Sequence, residues 1–370
     1  MSQPVATETN AIDTLRALAI VWVLAHHVFA YGGLSVPYFD RNGGLLGVQL
    51  FFVVSGYLIV QSAQKYSLGV FALHRFFRIF PPYLVALLVF GAGNYLLVPD
   101  YRHAMDAFAP YFLLNIANLQ LLHPVSVLVL DPLHVGWSLT VELVWYALAP
   151  VAVWWCGNGT AAKLRWLAVL LASVVAACLW VFMASRGLLY GLYEGMFAAV
   201  GLTQSDRLRH GVVDNAPLAQ LMFFFMGACL HVFRAELQRV PSGLLWLLAA
   251  AVLLFVPQWN AALDLFPNPL TGLGMVALVV WVLRSGYADG LTRWLAKVSY
   301  SLYLIHAPIL LAVFHYLHWG GLPGLLLAVF LIAVGAELGW RWVERPSQAL
   351  GKRLSLRLQP RTQSRAGAHP

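Results

Sequence analysis

Charge is scarce in this chain. Asp, Glu, Lys and Arg together make up 10% of its 370 residues, against about 25% in a soluble globular domain. So thin a supply cannot cover a water-facing surface, which excludes an ordinary soluble fold. Acidic residues are the scarcer half, with 15 Asp and Glu against 23 Lys and Arg and a net charge of +8. Cysteine is nearly absent. Cys156, Cys178 and Cys229 lie within or at the end of apolar blocks and form no Cys-x-x-Cys pair, which argues against a disulfide framework or a zinc site. The first residues lack the basic segment and small-residue cleavage site of a secretory signal.

What the chain has is apolar: 61% of its residues are hydrophobic. They come in blocks long enough to cross a bilayer, which takes about 20 residues. The blocks predict an all-α, polytopic transmembrane helix bundle. Ten spans are expected at 11–31, 44–63, 81–99, 139–156, 164–184, 216–235, 243–257, 268–285, 298–318 and 321–342. Stretches 107–122 and 188–202 are short and interrupted, and read as interfacial or re-entrant. Residues 1–10 form an N-terminal segment, 11–350 one membrane domain, and 351–370 a basic tail expected to be disordered. With the N-terminus inside, eighteen of the 23 basic residues fall in cytoplasmic segments. This asymmetry predicts both termini in the cytoplasm. The basic residues lie between apolar blocks, so they point to membrane lipid and not to nucleic acid.

Ionisable residues inside a span are costly and each needs a reason. The first span carries Asp13, Arg16, His26 and His27. Arg16 and His27 are eleven residues apart, three turns plus about 20°, so they share a face roughly 16 Å apart along the axis. His26 points elsewhere. Histidine suits general-base work near neutral pH; the plainer reading is a polar residue packed against a carbonyl. Arg75 and Arg78 are i,i+3 in the segment His74–Tyr83. Their guanidinium forks could hold phosphate bidentately, or contact anionic lipid as a topology signal. Trp137, Ser138 and Glu142 open the fourth span. Glu142 falls about one turn inside its outer boundary, where it could orient an imidazole or bind a sugar hydroxyl. Trp137 could stack on a sugar ring or serve only as an interfacial tryptophan. The runs Gly47–Tyr57 and Ser299–His306 read as packing surfaces by default.

The order of these motifs is more specific than any one of them. Ile12-Asp13-Thr14-Leu15-Arg16-Ala17-Leu18-Ala19 with His27, the Phe51–Tyr57 run, Arg75-x-x-Arg78-Ile79-x-Pro81, Trp137-Ser138-Leu139-x-x-Glu142, Ser299-Tyr300-Ser301-Leu302-Tyr303-Leu304-x-His306 and Glu344-Arg345-Pro346 closely resemble the acyltransferase family 3 membrane proteins. That family includes bacterial O-antigen and nodulation-factor O-acetyltransferases. The resemblance covers about residues 11–350. Thr14 stands where Gly is frequent, and Trp145 where Phe is common; neither changes a chemical group.

The resemblance implies a membrane O-acyltransferase of the bacterial inner membrane. Its donor would be acyl-CoA, acetyl-CoA by family frequency, with no metal. Its acceptor would be a polysaccharide, oligosaccharide or glycolipid. Arg16 and His27 take the family's Arg-x10-His motif, with His27 as catalytic base or transient acyl carrier. Arg75 and Arg78 take the Arg-x-x-Arg motif implicated in holding the donor. Trp137, Ser138 and Glu142 take the Trp-Ser-Leu…Glu motif, with Glu142 expected on the acceptor side, away from Arg16. Some relatives carry a soluble esterase-like domain after the bundle; none is expected here, so a periplasmic partner would be a separate protein. Two other classes stay open at this point. One is an exporter of a lipid-linked sugar or small anion; the other is a sensor that binds acyl-CoA without turnover.

Overall fold

In the computed structural model the residues described are 3–33, 36, 43–157, 159–201, 209–256, 258 and 267–358. Among them the regular structure is all helical. The helices are α1 (Gln3–Tyr31), α2 (Gly44–Lys65), α3 (Leu68–Leu97), α4 (Pro99–Ile116), α5 (Pro124–Leu128), α6 (Gly136–Cys156), α7 (Thr160–Ser185), α8 (Tyr190–Ala198), α9 (Pro217–Val232), α10 (Ser242–Leu254), α11 (Pro269–Ser285), α12 (Gly290–Leu311), α13 (Gly321–Gly339) and α14 (Arg345–Leu356). A four-residue turn of helix joins α9 to α10. Seven described helices are long and apolar enough to cross a membrane. Three shorter apolar helices, α9, α10 and α11, occupy the other three expected spans.

The local chemistry explains several boundaries. Asn268 caps α11 by accepting from Leu270 N at 2.9 Å, with Pro269 in the first turn, where its missing N–H costs nothing. Asp289 caps α12 by accepting from Thr292 N at 2.7 Å. α3 is longer than expected: it begins at Leu68 and runs through Pro81 and Pro82. The expected span begins at 81, yet the helix continues through both prolines, although an interior proline removes a backbone donor. Here the freed carbonyl finds another partner. Pro81 cannot bond Phe77 O, and that oxygen accepts from Ser347 Oγ. Arg75 and Arg78 therefore lie within a helix, near its start.

Helix α14 corrects a second expectation. Residues 351–356, expected in a disordered tail, continue a helix that packs on α3. His74 Nε2 and Ser355 Oγ lie 2.9 Å apart, and Gly351 sits against the Phe77 ring. The sequence hid this because the helix is polar overall, with basic residues on its outer face. Residues 359–370 lie outside the described residues, as do Arg41 and Arg207 from the charge count.

Helices α1, α2, α9 and α12 form the centre of the bundle. α2 and α9 pack backbone to backbone. A Cβ on Gly56 would lie 2.1 Å from Phe224 O, and one on Gly227 1.9 Å from Val53 O. Small residues at such crossings let membrane helices approach closely. Stretch 107–122 is spread over the end of α4 and a short 3-10 turn, and the described part of 188–202 holds α8. Neither is among the candidate spans.

Candidate active site

A cavity of about 620 Å³ runs along the bundle between α1, α2, α3, α6, α12 and α14. On α2 its lining extends from Val48 to Lys65, a rise of roughly 25 Å. It therefore covers most of the depth of a bilayer core, about 30 Å. One end lies beside the α2–α3 turn, at the end of the bundle that holds the N-terminus of α1. Lys65, Tyr66, His74 and Lys352 line it there. The other end is lined by Val48, Phe51, Phe52, Ser138 and Tyr303. Arg16, Arg75, Arg78 and Glu142 line the wall between. Five cations thus share the cavity with a single carboxylate.

Arg16, Arg75 and Glu142 are each held by a neighbour. Arg16 Nη2 donates to Ser299 Oγ at 2.9 Å. Arg75 Nη2 donates to Ser62 Oγ at 3.1 Å. Its guanidinium lies 5.6 Å from the Phe71 ring centre and 5.8 Å from that of Tyr146, within cation–π range of both. Arg75 Nε is buried with no partner, a donor left available inside the site. The Arg78 side chain makes no hydrogen bond among the described residues.

Glu142 departs from its expected place. It lies in this wall with Arg16, Arg75 and Arg78, not at the far end facing an acceptor. Its Oε1 accepts from Ser55 Oγ at 2.9 Å and from Tyr146 Oη at 2.8 Å. No imidazole bonds it among the described residues. Two hydroxyls hold it, and the surrounding cations compensate its charge. Ser138, one turn earlier on α6, shares a 2.7 Å hydrogen bond with Tyr303 Oη and also donates to Val135 O at 3.2 Å. Trp137 packs edge-on against Phe52, with ring centres 6.3 Å apart, and does not line the cavity. The approach to α6 is pinned by Asp131, which accepts from Leu133 N and Gly136 N at 3.0 and 3.1 Å. Burial pushes its carboxyl above the ordinary range.

His27 lies beyond the Tyr303 end of the cavity. Its Nδ1 is 2.9 Å from Val23 O and 3.3 Å from His306 Nε2. His306 Nδ1 is 2.8 Å from Tyr303 O. A carbonyl only accepts, so His306 carries its proton on Nδ1 and, as neutral imidazole, presents a bare Nε2. His27 Nδ1 must then carry a proton, shared between Val23 O and His306. This leaves the lone pair of neutral His27 on Nε2, which has no protein partner among the described residues. Such a nitrogen is a proton acceptor held in one tautomer.

The shared face expected for Arg16 and His27 is present, since both meet α12, at Ser299 and His306. His26 turns to α2, against Gly44. Among the described residues no cluster of three or more His, Cys, Asp or Glu could hold a metal ion. By sequence Ser55, Ser299, Tyr303 and His306 read as packing residues and Lys352 as part of the basic tail. All five touch the site or the histidine pair. Their signal was present for α12, where Ser299, Tyr303 and His306 recur at helical spacing among apolar residues.

Comparison with known proteins identifies the family. A family model described as an acyltransferase domain matches residues 9–339. An O-acetyl transferase of Shigella phage Sf6 is 24% identical over 354 residues, covering 91% of this chain and 96% of the phage protein. The peptidoglycan O-acetyltransferase OatA of Listeria monocytogenes is 26% identical over 386 residues, covering 92% of this chain. The O-acetyltransferase OatA of Staphylococcus aureus is 23% identical over 374 residues. The match spans only 56% and 57% of those two longer proteins. No solved structure matches. With the family model covering most of its length, the chain belongs to the acyltransferase family 3 membrane proteins.

Proposed function

We propose that this chain is a membrane O-acetyltransferase with ten spans and both termini in the cytoplasm. It takes an acetyl group from acetyl-CoA on the cytoplasmic side and passes it to a hydroxyl of a carbohydrate at the outer side. The observation that carries this reading is the cavity. Its cations sit toward the end where basic residues concentrate, and its uncharged end stops beside the histidine pair. A thioester with an anionic handle fits that polarity. The names of the relatives support acetyl as the group moved and carbohydrate as the acceptor. Family membership favours group transfer over export.

In this mechanism His27 Nε2 takes the proton of the acceptor hydroxyl as its oxygen attacks the thioester carbonyl carbon. The carbon–sulfur bond breaks, and the proton returns from His27 to the departing thiolate. Positioned base catalysis of this kind contributes about 10²–10⁴-fold. Arg75 and Arg78 hold the donor by charge-assisted bonds. Arg16, tied to Ser299, keeps α1 in register with α12 and adds positive charge to the wall. Ser138 borders the region where donor and acceptor meet, with Trp137 packed on Phe52 beside it.

The test is transfer in proteoliposomes supplied with radiolabelled acetyl-CoA and a carbohydrate extract of the host envelope. Label should enter the carbohydrate with the native chain and not with His27→Ala. Absence of transfer by native protein that is folded and correctly inserted would overturn the reading. Mass spectrometry of surface glycans, with and without the protein, then identifies the acceptor by its acetyl increment.

A further inference from the structure

The cavity mouth contains two cations that no motif names. Lys65 closes α2, with its ammonium 5.3 Å from the Tyr66 ring centre. Lys352 comes from α14, which lies beyond the matched residues 9–339. Both line the cavity, both are exposed, and neither is in an ion pair among the described residues. Gln348, one turn before Lys352, lines it too, and its Nε2 donates to Glu344 Oε1 at 3.0 Å. α14 is not loosely placed. Ser347 bonds the carbonyl freed by Pro81, Ser355 meets His74, and Gly351 lets the helix sit on Phe77. These three contacts recur at four-residue spacing, so one face of α14 is committed to α3. That register aims Gln348 and Lys352 at the mouth.

We propose that Lys65 and Lys352 form a phosphate subsite at the mouth, which reads the nucleotide end of the donor. The inference rests on acyl-CoA being that donor. A thioester arm threaded along the shaft leaves the bulky nucleotide at the mouth, where it carries a diphosphate and a ribose phosphate. Unpaired lysines there meet those groups while Arg75 and Arg78 act deeper. Two mobile point charges suit this role better than fixed forks, because a solvated phosphate offers no single plane. The C-terminal helix then sets donor choice. Thioesters that keep the pantetheine arm but lack the nucleotide lose this contribution.

Binding of coenzyme A, 3′-dephospho-coenzyme A and pantetheine to the purified full chain tests this in neutral detergent, with and without added anionic lipid. Lys352→Ala and Lys65→Ala should each weaken coenzyme A by roughly 3- to 10-fold, the scale of a charged contact partly screened by solvent. Pantetheine affinity should stay unchanged, and Lys352→Arg should keep most of the coenzyme A affinity. An effect confined to samples with anionic lipid would assign the lysines to a lipid headgroup and overturn the proposal. So would equal weakening of coenzyme A and pantetheine, or no weakening at all. If the native chain transfers acetyl while Lys352→Ala binds coenzyme A normally, the subsite alone falls. If the native chain binds no coenzyme A, the donor assignment falls with it.

Discussion

His27 Nδ1 and His306 Nε2 face each other at 3.3 Å, and each ring also bonds a backbone carbonyl of its own helix. The consequence is a chain of fixed tautomers. Tyr303 O orients His306, His306 accepts from His27, and the basic nitrogen of His27 is turned away from both. Val23 O on its own helix and His306 on α12 thus both place the His27 proton on Nδ1.

The histidines should therefore separate cleanly by mutation. His27→Ala is expected to lower kcat by about 10²–10⁴-fold. His26→Ala, whose ring packs on α2, should keep most activity. His306→Gln retains an acceptor but loses the aromatic shape, and should lower kcat by only about 2- to 13-fold, the worth of one neutral hydrogen bond. Steady-state kinetics on the three variants, with yield and melting temperature, check this. Equal losses for His26→Ala and His27→Ala would remove the distinction.

Arg75 should be hard to replace. Its guanidinium bonds Ser62 and lies near two aromatic rings. Arg75→Ala and Arg78→Ala are expected to weaken donor binding by roughly 10- to 150-fold. Arg75→Lys should recover only part, since an ammonium lacks the planar fork. Donor titrations, with acceptor KM as the control, measure both.

Glu142 should behave as a charge balancer. Glu142→Gln can keep both hydroxyl contacts through one oxygen, so its melting temperature should stay near native. Loss of the carboxylate leaves the cations unopposed, so donor KM should stay level or fall while kcat drops. Glu142→Ala strands the hydroxyls of Ser55 and Tyr146 and should cost about 1–3 kcal/mol of stability. A raised acceptor KM in Glu142→Gln would instead return the residue to sugar binding.

The α2–α9 crossing should tolerate no side chain. Gly227→Ala and Gly56→Ala each drive a Cβ into a backbone carbonyl, and overpacking of this kind costs about 1–3 kcal/mol or more. Gly93→Ala, with nothing within 4 Å of its Cβ, should be neutral or stabilising by about 0.5–1 kcal/mol. Thermal unfolding in detergent compares the three.

Orientation is open to labelling. Ser67 is exposed in the α2–α3 turn, whereas Val70 nearby is buried. Ser67→Cys should resist an impermeant thiol reagent in intact cells and react in inverted vesicles. Labelling in intact cells would reverse the proposed topology.

Much of the fold was legible because the seven long apolar helices announce themselves by length and composition. The face shared by Arg16 and His27 followed from helical spacing alone. What spacing could not give was the neighbour across the bundle. Ser299 and His306 lie 283 and 279 residues from the groups they hold, and nothing local marks such pairs. Glu142 was misplaced for a related reason. Its depth was counted from the end of an apolar block, while its real surroundings depend on which helices close around α6. The α14 segment was missed because its stability comes from docking on α3, not from its own hydrophobicity.

The charges along the cavity stop short of its far end, where Val48, Phe51, Phe52, Ser138 and Tyr303 form the lining. Under the proposed orientation this has an electrical meaning. Moving one elementary charge through the full membrane potential costs or yields about 2.3 kcal/mol per 100 mV. A donor whose phosphates stay with the lysines and arginines keeps its charge near the cytoplasmic side, and only a neutral acyl group crosses the remaining field. Transfer to the outer face would then be indifferent to membrane voltage, needing neither an ion gradient nor an energised membrane beyond the thioester itself.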